Sequence, residues 1–286
     1  YILGDAGIGI IISETGFLPL VEDARGVSGL KTVILLDASF EGRQAFAEWI
    51  DGHAPDAALP PISPDDIALQ LYTSGTTGNP KGCMHTHKSV VSAGITGAKA
   101  LGLDDTDIML IAMPIWHSSP LNNWFMGITS VGGTTVLLRE YHPLHFLEAI
   151  EKKSCTAYFG APISCLLPLQ MIPNFTDFNL SSMKAWVYGG GPIAPETVKK
   201  LKNSYRSDKF YQVYGMTEAG PTGTVLRPED HENHAGSIGK KALPGAQMKV
   251  MKDETTPAGP GETGEIWLKA DSMMTGYLHN EQATRE

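Results

Sequence analysis

The chain lacks any apolar run near the ~20 residues that a membrane-spanning helix needs. It is also poor in cysteine. Cys83, Cys155 and Cys165 are the only three in 286 residues, and they show no paired metal-ligand spacing, which excludes a disulfide framework and a zinc cluster. They read as small buried thiols of a reducing compartment, and the expected location is cytoplasmic. Basic residues are in deficit, with 22 Lys and Arg against 31 Asp and Glu and a formal charge of −9. That balance argues against nucleic acid as the main partner. An anionic ligand must therefore be held by local features. There is no internal repeat and no low-complexity tract. Residues 1–13 are apolar but have no basic flank and no cleavage-like site, so they read as structure and not as a leader.

What the chain does have is concentrated in residues 71–82, Leu-Tyr-Thr-Ser-Gly-Thr-Thr-Gly-Asn-Pro-Lys-Gly. Three glycines, the hydroxyls of Thr73, Ser74, Thr76 and Thr77, and Lys81 follow a short apolar strand pattern at 67–71. Glycines accept the backbone angles that turn successive N–H groups toward an anion. The hydroxyls add hydrogen bonds, and the lysine adds a mobile charge. A polyphosphate suits such a loop. It is not the G-x-x-x-x-G-K-[ST] loop of kinases and GTPases. Gly75 and Gly78 are too close together, Lys81 does not follow Gly78, and Gly82 stands where Ser or Thr belongs.

Around this loop, apolar strand patterns alternate with amphipathic helical ones from about residue 31 to 214. Strands are expected at 32–36, 67–71, 108–113, 134–138, 156–159, 185–188 and 210–213. Helices are expected at 42–50, 88–103, 121–131, 143–153, 163–171 and 194–205. A proline-rich connector, with Pro55, Pro60, Pro61 and Pro64, feeds the strand before the loop. This order predicts an α/β fold of largely parallel sheets covered by helices. After about residue 225 the pattern changes to alternating strands at 247–251 and 265–269, separated by Pro257-Ala258-Gly259-Pro260-Gly261. The expected division is an α/β part over 1–225 and a β-rich part over 226–286.

Two further clusters follow predicted strands. In Tyr188-Gly189-Gly190-Gly191-Pro192, the glycines either make a plain strand-to-helix turn or let a flat ring or phosphate approach the backbone. In Tyr214-Gly215-Met216-Thr217-Glu218, each residue type suits a nucleotide. Tyr214 can stack on a purine, Thr217 can bond a phosphate oxygen, and Glu218 can hold Mg²⁺. Met113-Pro114-Ile115-Trp116-His117 brings a histidine to the end of another strand, either as a cap or as a site residue. His85 and His87, which flank Thr86 directly after the loop, read as local structure.

Taken together, Tyr72 to Gly82, the triple glycine and Tyr-Gly-Met-Thr-Glu closely resemble the adenylate-forming enzymes, the superfamily of acyl-CoA synthetases, peptide-synthetase adenylation domains and luciferases. The resemblance covers about residue 64 to the end. It implies two packed, largely parallel sheets flanked by helices and the start of a distorted β-barrel. It implies a ligase using ATP, Mg²⁺ and a small-molecule carboxylic acid, with coenzyme A as the acceptor, and a place in fatty-acid metabolism. The cofactor-binding residues it implies are Thr73, Ser74, Gly75, Thr76, Thr77, Gly78 and Lys81 for the phosphates. Gly189, Gly190, Gly191, Pro192 and Tyr214 are implied for adenine, with Gly215, Met216 and Thr217 beside the α-phosphate. His117, Thr217, Glu218 and Lys81 are the implied catalytic set, with Glu218 the metal ligand. The three turns are expected to converge on one ATP. Gly261-Glu262-Thr263-Gly264-Glu265 and Thr275-Gly276-Tyr277 match segments with no catalytic role. The family's ribose-binding aspartate, hinge and lid lysine have no counterpart here, which reads as a truncated large domain, expected to be inactive alone. The alternatives are an adenine-nucleotide-binding module without turnover and an amino-acid-adenylating domain.

Overall fold

Runs that are apolar on both faces pair in parallel when helices cover both sides of a sheet. Five such runs, Ile108–Ile111, Thr134–Leu137, Ala157–Gly160, Ala185–Gly189 and Phe210–Tyr214, form parallel strands in a computed structural model that describes residues 1–55, 58–74 and 78–286. Thr224–Leu226 and Lys241–Ala242 extend one edge in antiparallel fashion. The seven strands lie in the order Lys241–Ala242, Thr224–Leu226, Phe210–Tyr214, Ala185–Gly189, Ala157–Gly160, Ile108–Ile111, Thr134–Leu137. Ile108–Ile111 therefore has later strands on both sides. The chain turns one way to reach Thr134–Leu137 and the other way to reach Ala157–Gly160. That reversal opens a crevice at the carboxyl ends of the strands, the usual ligand position in such sheets.

Side chains alternate strictly across this sheet. Leu110, Tyr158, Trp186, Tyr188 and Phe210 face one core with Phe146 and Leu201. Met109, Ile111, Phe159 and Val187 face the other with Trp124 and Ile128. The covering helices begin as the sequence dictates. Pro143–Lys153, Pro162–Met171 and Pro195–Tyr205 each carry proline in the first turn, where its missing N–H costs nothing. His87–Leu101 is capped by Thr86, whose Oγ1 accepts from Ser89 N at 3.1 Å. It stops at Gly102, left-handed at φ 67°.

The chain divides into two compact units. The larger comprises Pro64–Leu71 and Cys83–Gly276 and holds the seven-stranded sheet. It also holds the antiparallel pair Ala246–Met251 and Glu265–Ala270, the expected alternating strands. No closed barrel forms among the described residues. The smaller unit comprises Tyr1–Ser63, Tyr72–Gly82 and Tyr277–Glu286. There, Ile10–Ser13 pairs in parallel with Thr32–Leu35 over a core of Leu18, Val21, Leu30, Val33 and Leu35.

Two elements depart from expectation. The helix expected from residue 42 starts at Phe46. Residues 40–45 are drawn into strand-like pairing instead, with Leu35 N donating to Gln44 O at 3.0 Å and Arg43 N to Phe40 O at 3.0 Å. The helix expected at 121–131 is a π-helix over Ser119–Phe125 followed by an α-helix over Met126–Ser130. Pro120 contributes no N–H to the first turn, and such widened turns cluster at functional sites.

At the amino ends of the strands, the Asp107 carboxylate is 2% exposed and ties three strands together. Its Oδ1 accepts from Lys184 Nζ at 2.7 Å and Thr156 Oγ1 at 2.8 Å, and its Oδ2 from Asp104 N at 3.0 Å. Burial pushes its pKa up, but these donors outweigh burial and hold it below the ordinary value. Asp107→Ala is expected to lower the unfolding free energy by about 2 kcal/mol, a figure that discounts the screened lysine charge. Denaturant titration measures it, and an unchanged midpoint would remove the carboxylate as a clamp.

Candidate active site

In the larger unit, the crevice at the strand ends is a cavity of about 370 Å³. One wall is backbone: Gly189 and Gly190 after one strand, and Tyr214 to Thr217 after the next. Gly190 has φ 77°, which an L side chain rarely adopts. Gly215 lies so close to Pro221 that a Cβ there would run into the Pro221 carbonyl. The turn is that tight because the chain doubles back at once into antiparallel Thr224–Leu226. The opposite wall carries Met113, His117, Ser119, Asn123, Trp124 and Phe159. The structure thus brings together His117, Gly189, Gly190, Tyr214, Gly215, Met216 and Thr217. Gly191 and Pro192 are not among the residues lining this cavity.

Glu218 sits one residue beyond the cavity wall, in the single 3₁₀ turn Thr217–Ala219. Its backbone carbonyl accepts from Met274 N at 2.9 Å, and Ser272 Oγ donates to the neighbouring Ala219 carbonyl at 2.7 Å. Against the same turn lies His85, on the strand Lys81–Thr86. Its ring is fully buried and faces the backbone of Thr217 and Ser272, with the Glu218 carboxylate beyond. Burial pushes the His85 pKa down, against the pull of those neighbours. His85 is the buried one of the two histidines, because the strand ends at Thr86 and His87 begins the following helix.

The Gly189–Gly190 turn is supported from behind. Tyr188 is fully buried, and its hydroxyl lies 3.0 Å from His231 Nε2, while His231 Nδ1 lies 2.8 Å from the Arg227 carbonyl. A carbonyl can only accept, so Nδ1 carries the proton and Nε2 accepts from Tyr188. Burial pushes the His231 pKa below the ordinary 6.5, against the Arg227 carbonyl.

In the smaller unit, the two flanks of the glycine- and hydroxyl-rich loop are close. Thr73 Oγ1 lies 3.5 Å from the Lys81 carbonyl. Lys81 Nζ sits 4.4 Å above the centroid of the Tyr277 ring, a cation–π contact. Leu278 N donates to the Gly82 carbonyl at 2.8 Å. Gly75, Thr76 and Thr77 lie outside the described residues. Ser74 and Gly78 flank that gap. Met, Trp and Phe near residues 113–126 suit either an apolar channel or core packing by sequence, while Asn123 and Phe159 come to the cavity through a π-turn and a strand pairing that periodicity does not show.

Parallel sheets with a reversal in strand order commonly take ligands at the carboxyl ends of their strands. The chain belongs to the AMP-binding enzyme family, whose model matches residues 1–278. It is 31% identical over 284 residues to 4-coumarate–CoA ligase 2 of Solanum tuberosum, covering 96% of this chain and 51% of that protein. Among solved structures it is similar to the anthranilate CoA ligase AuaEII in complex with anthranoyl-AMP, with a TM-score of 0.88, 25% identity, and coverage of 100% of this chain and 54% of that one. It is also similar to the inhibitor-bound N-terminal domain of FACL13 from Mycobacterium tuberculosis, with a TM-score of 0.86, 26% identity, and coverage of 99% and 69%. The chain spans about half the length of the curated relatives it matches. No helix among the described residues is long and apolar enough to cross a membrane.

Two outcomes follow from this geometry. His231 titrates lower in the folded state than in the unfolded one, so below pH 6.5 the unfolded chain binds a proton that the native state refuses. Stability is expected to be full above that pH and to fall as pH drops from there toward the folded value. Urea midpoints across this range measure the fall. His231→Leu should flatten part of it, and an undiminished slope would contradict the burial argument. Gly215→Ala should force the Pro221 carbonyl away and weaken AMP binding at least tenfold by calorimetry, whereas unchanged affinity would separate this turn from the nucleotide.

Proposed function

We propose that the protein containing this chain is an ATP-dependent carboxylate–CoA ligase. The acid's carboxylate oxygen attacks the α-phosphorus of ATP, the bond to the bridging oxygen breaks, and pyrophosphate leaves. The sulfur of coenzyme A then attacks the acyl carbon, its thiol proton is lost, and AMP departs with the C–O electron pair. The observation that carries this reading is the cavity itself, which joins a backbone wall at Gly189–Gly190 and Tyr214–Thr217 to a side-chain wall at His117. Family membership and the acyl-CoA ligase relatives support it.

In this reading Tyr214 and the glycine turn take the adenine, and Thr217 donates its hydroxyl to an α-phosphate oxygen. Thr73, Ser74 and Lys81 take the β- and γ-phosphates, together with Gly75, Thr76, Thr77 and Gly78. His117 orients the incoming carboxylate. There is little covalent work for the chain to do. It supplies alignment of the attacking oxygen and donors aimed at the charge that spreads over the phosphoryl oxygens. Mg²⁺, when bound, neutralises phosphate charge. Glu218, in the turn that carries Thr217, would be its protein ligand, since Mg²⁺ takes one or two carboxylates with phosphates and water.

Isotope exchange between pyrophosphate and ATP, run on the whole protein, tests the reading. Acid-dependent exchange is expected, with kcat reduced at least tenfold in Glu218→Gln. Exchange independent of added acid, or a fully active Glu218→Gln, would contradict it.

A further inference from the structure

Lys81 is the only lysine or arginine in residues 71–82. Its ammonium is a compact charge on a flexible four-carbon stem, so a defined position for that charge needs a neighbour to hold it. The neighbour is the ring of Tyr277, whose centroid lies 4.4 Å from Lys81 Nζ, inside the ~6 Å range of a cation–π contact. An aromatic face attracts an ammonium without neutralising it. The charge remains whole for an anion on its other side.

The ring sits on fixed backbone. Lys81, Tyr277 and the partners that follow all belong to the smaller unit. Thr284 Oγ1 accepts from Tyr277 N at 2.9 Å, and the Gly82 carbonyl accepts from Leu278 N at 2.8 Å. His279, left-handed at φ 52°, then turns the chain into the helix Glu281–Arg285. Asn280 caps that helix, with Oδ1 accepting from Ala283 N at 3.0 Å. A non-glycine residue in the left-handed region is uncommon, and here the reversal is what brings Thr284 back to Tyr277. The lysine end is fixed as well. A Cβ at Gly82 would lie 3.0 Å from the Tyr72 ring, and the Tyr72 hydroxyl donates to Asp5 Oδ2 at 2.6 Å. Lys81 also lines a cavity of about 410 Å³ with Gly78, Asn79 and Pro80, which leaves room for a ligand beside the ammonium. Two carboxylates share that cavity, and each has a donor of its own. Asp5 takes the Tyr72 hydroxyl, and Glu286 takes Gln282 Nε2 at 3.1 Å.

We infer that Tyr277 is a positioning residue, holding the Lys81 ammonium at the rim of the loop where the β- and γ-phosphates of ATP bind. This rests on the phosphate contacts of the ligase reading above and adds to them a residue that touches no phosphate itself.

The test is calorimetry on the whole protein with AMP and with α,β-methylene-ATP, which carries the two outer phosphates that AMP lacks. Tyr277→Leu is expected to weaken the ATP analogue by about threefold to tenfold and to leave AMP unchanged, a split that a general loss of structure would not give. Tyr277→Phe keeps the ring and should bind both as the wild type does. In a Lys81→Met background, Tyr277→Leu should cost nothing further. Tyr277→Met serves where the leucine variant fails to fold, as judged by its thermal melt. Four results would each overturn the inference and leave the ligase reading standing: an unchanged affinity for the analogue in Tyr277→Leu, an equal loss of both nucleotides, a Tyr277→Phe variant as weak as Tyr277→Leu, or an undiminished effect in the Lys81→Met background. An ATP analogue bound by Lys81→Met as tightly as by the wild type would overturn the phosphate reading of Lys81, and the inference with it.

Discussion

The strand Ile108–Ile111 hydrogen-bonds to Thr134–Leu137 on one side and Ala157–Gly160 on the other, both in parallel. Connections leave its neighbourhood in opposite directions, so no loop closes over the carboxyl end of the sheet at that point. Everything placed there follows from this one arrangement. His117 hangs from the segment after Ile111, and the glycine turns cap the next strands along. Remove the reversal, and the same motifs would face solvent on separate loops. The clamp around Asp107 holds the opposite ends of three of these strands, so the register that aims the turns is fixed from below.

Rigidity at the site comes from backbone packing more than from charge. The chain is acidic overall at −9, so a nucleotide gains nothing from the general field. Local devices compensate. Gly215 is pressed on Pro221, the Thr217–Ala219 turn is strapped by Ser272 and Met274, and Tyr188 is braced by a neutral His231. His85 stands apart from these. It is buried directly behind the turn that carries Thr217 and Glu218, and burial favours its neutral form.

Much of this was legible in the sequence because the information is local. Continuous apolar runs at 156–159 and 185–188 mark buried parallel strands, and Pro143 marks a helix start. The triple glycine and Tyr214-Gly215 mark, by residue type, the tight turns that end two of the parallel strands. What was not legible depends on distant contacts. The π-turn at Ser119–Phe125 fits against Gly94 and Gly97, residues some twenty-five positions earlier. The strand pairing that delays the Phe46–Asp51 helix needs Leu35. Tyr277 meets Lys81 only after most of the chain has intervened. Periodicity sees none of these, because each is decided by a partner outside the window.

The central proposal is that the cavity at the strand ends seats an acyl-adenylate, with its adenine on the Gly189–Gly190 and Tyr214 side and its acyl group toward His117. A crystal structure of the whole protein with a non-hydrolysable acyl-sulfamoyl adenosine tests this most directly. The account predicts density for the purine against those glycines and for the acyl group on the His117 side. An analogue bound elsewhere, with this cavity filled only by water, would contradict it.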